Sequence, residues 1–217
     1  MDTDFIFHPI GIIHSCFTEK FGIPRQTGLV PAARATLEIL PPYNRDEAFR
    51  GLDDFSHLWI VFVFHGINDR KWQPTVRPGL RRHKGKFLLE LSGIDLLDQT
   101  PVLDIKPYLP YADRIPGATG GFAADPPRPS LSIEFTAQAR QACTLLEKTV
   151  PGFSDLVIQV LRADPRPAYV GTRSERTEFG VRLYDINVRW AIRQETIIVR
   201  AIEGANDGGG KVPTFLV

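Results

Sequence analysis

The sequence predicts a mostly β amino-terminal domain, followed by a smaller unit of mixed α and β structure. Up to about residue 110, short apolar stretches are bounded by proline, glycine and polar clusters, which is typical of strands. From residue 136, apolar residues first recur at helical spacing, and strand-like alternation then returns. We therefore divide the 217-residue chain into residues 1–130, residues 131–203 and a flexible tail, residues 204–217.

The amino-terminal part contains the predicted strands and one predicted helix. Residues 44–55 predict a short helix with Asn44 as its cap and acidic residues in its first turn. Residues 57–65 are apolar on both faces, which favours a central strand that is covered on both sides. The other segments with strand character are residues 6–14, 35–40, 86–95 and 100–110.

The carboxy-terminal part follows a linker rich in proline and glycine, residues 111–130. Residues 136–150 predict a first helix. A second begins at residue 153 and ends before Pro165, with apolar residues on one face. Residues 178–203 then predict two or three antiparallel strands.

Composition and segment lengths favour a soluble cytoplasmic protein. The chain is 43% hydrophobic and 24% charged, which is ordinary for a globular protein. Its longest apolar run, residues 58–64, is too short to span a membrane, and the acidic amino terminus disfavours a signal peptide. Cys16 and Cys143 are expected to be reduced thiols. The histidines lack metal-ligand spacing, so we expect no metal site.

The net charge of +1 argues against a chain that coats nucleic acid through its overall charge. Local clusters of arginine and lysine can still bind phosphate, because affinity depends on clustering. Such clusters lie in residues 77–84, 162–176 and 189–193. The simpler interpretation of each cluster is a solvated face that nearby acids balance.

Several polar residues lie in stiff loops or at strand ends, where side chains can be held for recognition. Arg25 and Gln26 lie in a loop that proline and glycine stiffen. His65 and Gly66 follow an apolar strand, and the missing side chain of Gly66 lets another molecule approach the backbone. The simpler alternatives are an ordinary exposed loop for Arg25 and Gln26, and a core histidine for His65.

Polar residues of the later strands and loops also have both a functional and a purely structural interpretation. Asp104 and Lys106 share one face of a strand, where they could form an ion pair. Arg166 and Tyr169 suit phosphate contact and base stacking, although the same segment also ends a helix. Arg189 lies on the polar face of a strand. The residues alone indicate a β-rich domain with a small-molecule cleft and an appendage that could face RNA.

Six segments taken together resemble the YaeB/TrmO (TsaA-like) family of S-adenosylmethionine-dependent tRNA methyltransferases. The resemblance runs from about Ile6 to about Ile202. It implies a small closed β-barrel in the amino-terminal domain, a homodimer, and methylation of N6 of a threonylcarbamoyl-adenosine beside the anticodon. The segments are "EKFGIPRQTGLVP", "PYNRDEAFRGLDDFSHLWIVFVFH", "WQPTVRP", "LLDQTPVLDIKPYLPYAD", "DPRPAY" and "DINVRW".

The same resemblance implies which residues form the site. Asp95 or Asp98 could bind hydroxyl or amino groups of the donor, S-adenosylmethionine. Asp104 and Tyr108 are candidates for the catalytic proton acceptor by type of chemistry only. The tRNA-facing residues would be Arg166, Tyr169 and Arg189. The donor pocket would be lined by Pro24, Arg25, Gln26, His65, Gly66, Asp95, Leu97, Asp98, Gln99, Thr100 and Pro101.

The sequence departs from the family pattern in two places. Between "PTVRP" and "KFLLELSG" the family carries a glycine-rich turn, a strand and an Arg-Pro-Asn-Pro segment, where this chain has only Gly79 and Leu80. Either a deletion has removed part of the donor site, or the sequence as read omits a mobile loop near residues 79–81. Gln99 replaces a glycine, which suggests a turn with positive φ.

Two other functions stay open. A chain that lost the donor site with the missing segment would be a non-catalytic S-adenosylmethionine- or RNA-binding β-barrel module. A metal-free hydrolase that uses His65 and an aspartate is weaker, since no serine or cysteine lies in a nucleophile motif such as G-x-S-x-G.

Overall fold

The computed structural model describes residues 6–65, 77–83, 86–121, 131–166 and 178–204. The helices within these ranges are α1 (Pro110–Asp113), α2 (Ala137–Leu146) and α3 (Phe153–Arg162). The strands are β1 (Gly11–Ser15), β2 (Arg34–Ile39), β3 (Leu58–Phe62), β4 (Arg77–His83), β5 (Lys86–Ser92), β6 (Pro101–Pro107), β7 (Ser132–Phe135), β8 (Glu178–Leu183), β9 (Ile186–Arg193) and β10 (Thr196–Gly204). The prediction of a mostly β chain with few helices is confirmed.

The first sheet contains β1 to β6 in the spatial order β3-β6-β1-β2-β5-β4. All of its strand pairs are antiparallel. The sheet curls, so that Cα atoms of its two edge strands, β3 and β4, approach within 8 Å of each other. The amino-terminal half of the chain is therefore a curled half-barrel.

Alternation along the strands of this sheet builds its core. Ile13 of β1 pairs with Leu37 of β2, which in turn pairs with Leu89 of β5, and all three side chains are fully buried. Because successive side chains of a strand point to opposite faces, these residues form one row across the inner face of the curl. Burying each such side chain contributes roughly 1.5–3 kcal/mol.

The prediction that residues 57–65 form a central strand is wrong. β3 is an edge strand, paired with β6 only among the described strands. Val61, Val63 and Phe64 are 38%, 44% and 40% exposed. The apolar run predicted that both faces of this strand are buried. In the described part of the chain, only one face is buried.

Residues 44–55 form two short 3-10 turns, Asp46–Phe49 and Leu52–Asp54, instead of the predicted helix. Arg45 precedes the first turn, and no side chain caps it, so Asn44 is not its cap. Gly51 stands between the turns with a left-handed backbone at φ 77°. A right-handed helix cannot continue through that conformation, which glycine adopts readily.

β4 runs through the join at which the sequence departs from the family pattern. Gly79 pairs with Glu90 and Leu80 with Leu89, and the register with β5 does not shift between Arg77 and His83. The chain therefore forms one continuous edge strand across this join.

The second sheet has the order β7-β10-β9-β8, and both predicted long helices accompany it. β10 lies between β7, to which it is parallel, and β9, to which it is antiparallel. The Thr136 hydroxyl accepts the N–H of Ala139 and so caps α2. Glu147 accepts the N–H groups of Gly152 and Ser154 at the start of α3, both at 2.8 Å. None of the helices within the described ranges is long and apolar enough to cross a membrane.

The two faces of β9 differ as the alternation predicts. Ile186, Val188 and Trp190 are buried, and Trp190 stacks on Phe179 of β8 with ring centroids 4.6 Å apart. Arg189 lies on the exposed face. The predicted strands in residues 178–203 are thereby confirmed as β8, β9 and β10.

The two sheets are joined where the chain leaves β1. The N–H of Tyr184 donates to the carbonyl of Cys16 at 2.7 Å, and the Thr18 hydroxyl donates to the carbonyl of Tyr184 at 3.0 Å. A carboxylate oxygen of Glu19 accepts the N–H of Arg182 at 2.9 Å. Buried side chains from both sheets form a single hydrophobic cluster. The division between residues 1–130 and 131–203 stays a prediction, and the predicted tail beyond Gly204 lies outside the described residues.

Gly22, in the loop between β1 and β2, packs closely against β8 of the second sheet. A Cβ atom at this position would lie 2.3 Å from Cγ2 of Val181 in β8, and the backbone has φ +101°. Both observations require glycine, because real Cβ atoms do not approach so closely and other residues rarely adopt this conformation.

We expect Gly22→Ala to lower the free energy of unfolding by about 2 kcal/mol or more, from backbone strain and overlap with Val181. Gly28→Ala is the matched control. Its φ is also positive, at +85°, but nothing lies within 4 Å of its Cβ position, so the expected cost is only about 1 kcal/mol. Urea unfolding measures both variants. Equal costs would show that the approach to Val181 contributes nothing.

Candidate functional site

The segment from Gly93 to Thr100 lies between β5 and β6 and is fastened to the loop that precedes β2. The Gly28 N–H donates to the carbonyl of Gly93 at 2.8 Å, and the Thr27 hydroxyl donates to Oδ1 of Asp95 at 2.7 Å. Burial raises the pKa of Asp95 above the usual value for an aspartate, and the Thr27 hydrogen bond opposes this effect. The structure thus places Asp95 next to the predicted donor loop.

The same segment is also fastened to β1. The N–H of Asp98 donates to the carbonyl of Phe17 at 2.7 Å, and that of Gln99 to the carbonyl of Ile13 at 2.8 Å. In return, the Ser15 N–H donates to Oδ1 of Asp98 at 2.9 Å. The backbone around Asp98 is therefore fixed by bonds in both directions.

His65 joins this segment from the end of the β3 region. Its Nε2 lies 2.8 Å from the carbonyl oxygen of Asp98, and its Nδ1 lies 3.2 Å from Oγ1 of Thr100. The buried Thr100 hydroxyl also donates to the carbonyl of Leu97 at 2.7 Å. Residues predicted from separate parts of the sequence therefore converge here. Gly66 lies outside the described residues.

Gln99 has the positive φ that the family's glycine suggested, at 65°. Its side-chain Nε2 lies 3.3 Å from Nδ1 of His14 and donates to Oδ2 of Asp98 at 3.3 Å. The Nε2 of His14 lies 2.9 Å from Oε2 of Glu38. Sequence reasoning missed His14 and Glu38. The available signal was a titratable side chain, His14 or Glu38, within each of two predicted strands.

The rest of the predicted donor loop lies at the surface. Pro24 is buried, whereas Arg25 and Gln26 are exposed. The Arg166 guanidinium holds the pKa of Asp164 below its usual value, and the charge of Arg25 acts in the same direction. Arg25 therefore lies close enough to the turn after α3 for its charge to lower the pKa of Asp164.

Asp104 and Tyr108 are not brought to this cluster. β6 begins directly after Thr100, so Tyr108, which follows the other end of that strand, lies roughly 25 Å away. Its ring lies 5.9 Å from that of His57 and 6.0 Å from that of Trp59. Asp104 accepts the N–H of Ile105, and Lys106 pairs with Asp113 at 2.9 Å, so the suggested Asp104–Lys106 ion pair does not form.

The predicted tRNA-facing residues lie in the second unit. Arg166 donates to both carboxylate oxygens of Asp164 at 2.7 Å, and this pairing raises the pKa of the guanidinium. Arg189 lies 3.5 Å from Oε1 of Glu203 across the exposed face of the sheet. Tyr169 lies outside the described residues. Among the described residues, no group of His, Cys, Asp and Glu side chains could hold a metal ion.

Comparisons with known proteins cover both parts of the chain. Family models match residues 128–205, as TrmO C-terminal domain, and residues 12–87 and 80–114, as tRNA-methyltransferase O N-terminal domain. The tRNA (adenine(37)-N6)-methyltransferase of Escherichia coli (strain K12) is 38% identical over 232 residues, which cover 93% of this chain and 99% of that protein. The chain belongs to the TrmO family.

Two further comparisons agree with membership of the TrmO family. The putative S-adenosylmethionine-dependent methyltransferase RcsF of Pseudomonas aeruginosa is 45% identical over 210 residues, covering 84% of this chain and 90% of that protein. The crystal structure of TrmO from Pseudomonas aeruginosa matches with a TM-score of 0.78 at 40% identity, covering 93% of this chain and 99% of the other. The family resemblance inferred from the sequence is confirmed.

The TrmO comparisons also bear on the join at Gly79 and Leu80. The alignment with the Escherichia coli protein is longer, at 232 residues, than the 217-residue chain itself. That protein therefore has residues without a counterpart here. The amino-terminal family model matches in two pieces that overlap at residues 80–87, so the match is interrupted beside the join.

The raised pKa of Asp95 predicts how stability depends on pH. Because burial favours the protonated carboxyl, the folded state is expected to lose stability as pH rises from the usual aspartate range through the raised pKa. Asp95→Asn keeps an oxygen that can accept the Thr27 hydroxyl and removes the charge, so this loss should disappear. Urea unfolding between about pH 4 and pH 7 measures the difference. Asp53→Asn, at an exposed position, is the control. An unchanged pH slope in Asp95→Asn would contradict the assignment.

Proposed function

We propose that this protein is an S-adenosylmethionine-dependent tRNA methyltransferase that acts on N6 of adenine 37, beside the anticodon. The observation that carries this proposal is similarity over nearly the whole length of a tRNA (adenine(37)-N6)-methyltransferase. The converging cluster of His65, Asp98 and Thr100 supports it, because a predicted donor pocket requires these side chains in one place. The family resemblance narrows the acceptor to a threonylcarbamoyl-adenosine.

The donor is proposed to bind at the rim formed by the segment Gly93 to Thr100 and the loop around Thr27. When bound, it supplies a methyl group on a sulfonium sulfur. The donor's hydroxyl and amino groups need acceptors, and the carboxylates of Asp95 and Asp98 provide them. The backbone bonds that hold this segment fix the position of both carboxylates before the donor arrives. When a group is transferred between two bound molecules, orientation of this kind contributes a large part of the rate enhancement.

The tRNA is proposed to contact the turn after α3 and the exposed face of the second sheet. Arg166, Tyr169 and Arg189 are the proposed contacts. On that face Arg182, Arg189 and Arg200 pair with Asp185, Glu203 and Glu178 respectively. Phosphate groups would therefore have to replace carboxylates as partners of these arginines, which makes binding sensitive to salt.

A closed barrel, a homodimer and a cytoplasmic location complete the proposal. The approach of β3 and β4 within 8 Å supports closure of the curled sheet between its edges. The exposed apolar side chains Val61, Val63 and Phe64 support burial of the outward face of β3 against a second copy of the chain. The buried free thiols of Cys16 and Cys143 fit a reducing compartment.

The interrupted match at the join favours one alternative function. If the absent segment is a true deletion that carried part of the donor site, the chain is a non-catalytic S-adenosylmethionine- or RNA-binding module. It would keep the fold and the tRNA face. Sequencing the expressed gene across Leu80 and Arg81 decides whether the segment is absent.

Calorimetric titration of S-adenosylmethionine, together with an assay of methyl transfer, separates the two functions. A methyltransferase should bind the donor and transfer its labelled methyl group to an anticodon stem-loop that carries N6-threonylcarbamoyl-adenosine. The same stem-loop with unmodified adenosine is the control substrate, and it should gain less label. Binding of the stem-loop without transfer would establish the non-catalytic module, and an absence of both would reject the two functions together.

Arg166→Ala should weaken tRNA binding by about tenfold, since it removes one charged phosphate contact, and should leave donor affinity unchanged. Arg45→Ala, on the first unit, is the matched control, because this exposed side chain bonds locally to the carbonyl of Pro42. Filter binding at two salt concentrations measures both variants. An unchanged affinity in Arg166→Ala would remove this residue from the proposed tRNA face. Asp164→Asn distinguishes a loss of charge from a loss of turn structure, because it keeps Arg166 and removes its carboxylate partner.

A further inference from the structure

A chain of hydrogen-bonded side chains runs from β2 through β1 to the rim. It contains Glu38, His14, Gln99 and Asp98, and its successive contacts are 2.9, 3.3 and 3.3 Å. Ile12 pairs with Glu38 and His14 with Thr36, so Glu38 and His14 are diagonal neighbours on one face of the sheet. Their side chains are 20% and 21% exposed, which leaves the network at the edge of solvent.

The hydrogen bond to Glu38 determines which ring nitrogen of His14 carries the proton. An ionised carboxylate only accepts hydrogen bonds, so the neutral ring must donate from Nε2 to Oε2 of Glu38. The other nitrogen, Nδ1, is then a lone-pair acceptor, and it receives the amide N–H of Gln99 at 3.3 Å. A carboxylate behind a histidine thus aims a basic nitrogen at the rim.

The other basic groups of the rim hold the segment in place. His65 contacts the carbonyl of Asp98 and the hydroxyl of Thr100 with its two ring nitrogens. Asp95 accepts the Thr27 hydroxyl, and Asp98 accepts the Ser15 N–H. Nδ1 of His14 differs from these groups, because its partner in the rim is the end of an exposed side chain.

Transfer to N6 requires a proton acceptor. The acceptor nitrogen forms a bond to the methyl carbon while the carbon–sulfur bond breaks, and the electron pair of that bond stays on sulfur. The nitrogen then carries one hydrogen too many and must release it. We propose that Nδ1 of His14 takes this proton, that Glu38 is the positioning residue that stabilises the charged ring, and that the Gln99 amide occupies the place of the substrate N–H. The inference rests on the proposed methyltransferase function.

The charged groups around His14 favour this role. Glu38 on β2 contacts the ring directly, and Asp98 reaches it through Gln99. Glu90 on β5 pairs with Thr36, the residue opposite His14, and adds a second carboxylate to the same side of the sheet.

Single-turnover transfer to the modified stem-loop, at saturating S-adenosylmethionine and across pH, tests the proposal. His14→Gln should lower the rate by about 100-fold or more, as loss of a general base does, with donor affinity by calorimetry within about twofold of wild type. His8→Gln, at an exposed position, is the control and should keep the wild-type rate. Glu38→Gln should lower the rate less. Its ¹⁵N spectrum should also show a mixture of the two ring tautomers of His14, because the amide that replaces the carboxylate can donate as well as accept and no longer fixes the proton on Nε2.

A measurement without turnover checks the geometry separately. The ¹⁵N spectrum of the histidine rings should show His14 protonated at Nε2 in the wild type. A proton on Nδ1, a His14→Gln rate within twofold of wild type, or a parallel loss of rate and donor affinity would each overturn the role of His14. A wild-type protein that transfers no methyl group would instead reject the proposed function, and the inference with it.

Discussion

The backbone from Ile13 to Glu19 connects the two halves of the molecule. Within seven residues of sequence, the carbonyls of Ile13 and Phe17 hold the segment that carries Asp98, and the carbonyl of Cys16 holds Tyr184 of the second unit. Ile13 belongs to β1, whereas Cys16 and Phe17 follow the end of this strand, and together they serve both neighbours. The position of the rim and that of the second sheet are therefore set by the same few hydrogen bonds.

This arrangement gives the candidate site a fixed backbone with one adjustable side chain. The atoms around Asp98 are held by backbone bonds from both directions, and Thr100 is buried. Gln99 is exposed, and its side chain makes two contacts of 3.3 Å among the described residues. Its left-handed backbone turns the side chain out of the strand path and back across β1. A site built in this way can admit a substrate by moving one amide while its carboxylates stay in place.

The features that the sequence predicted correctly are those that depend on neighbouring residues along the chain. The helical spacing of residues 153–162 gave α3, the alternation around Trp190 gave β9, and a glycine position in a family turn gave the positive φ of Gln99. Other features depend on which strands become neighbours. β3 has the composition of a central strand, yet strand order puts it at an edge. His14 and Glu38 are far apart in sequence, and only the antiparallel register of β1 and β2 makes them partners.

The order of strands in the second sheet determines when this sheet can fold during translation. β10 is the strand made last among β7 to β10, yet it lies between β7 and β9 and supplies the ladder to both. On the ribosome, β7 must remain without that partner until residues 196–199 have emerged. The helices α2 and α3 can form beforehand from local contacts, but the sheet they cover cannot. This half of the protein therefore completes its fold only after most of the chain has been translated.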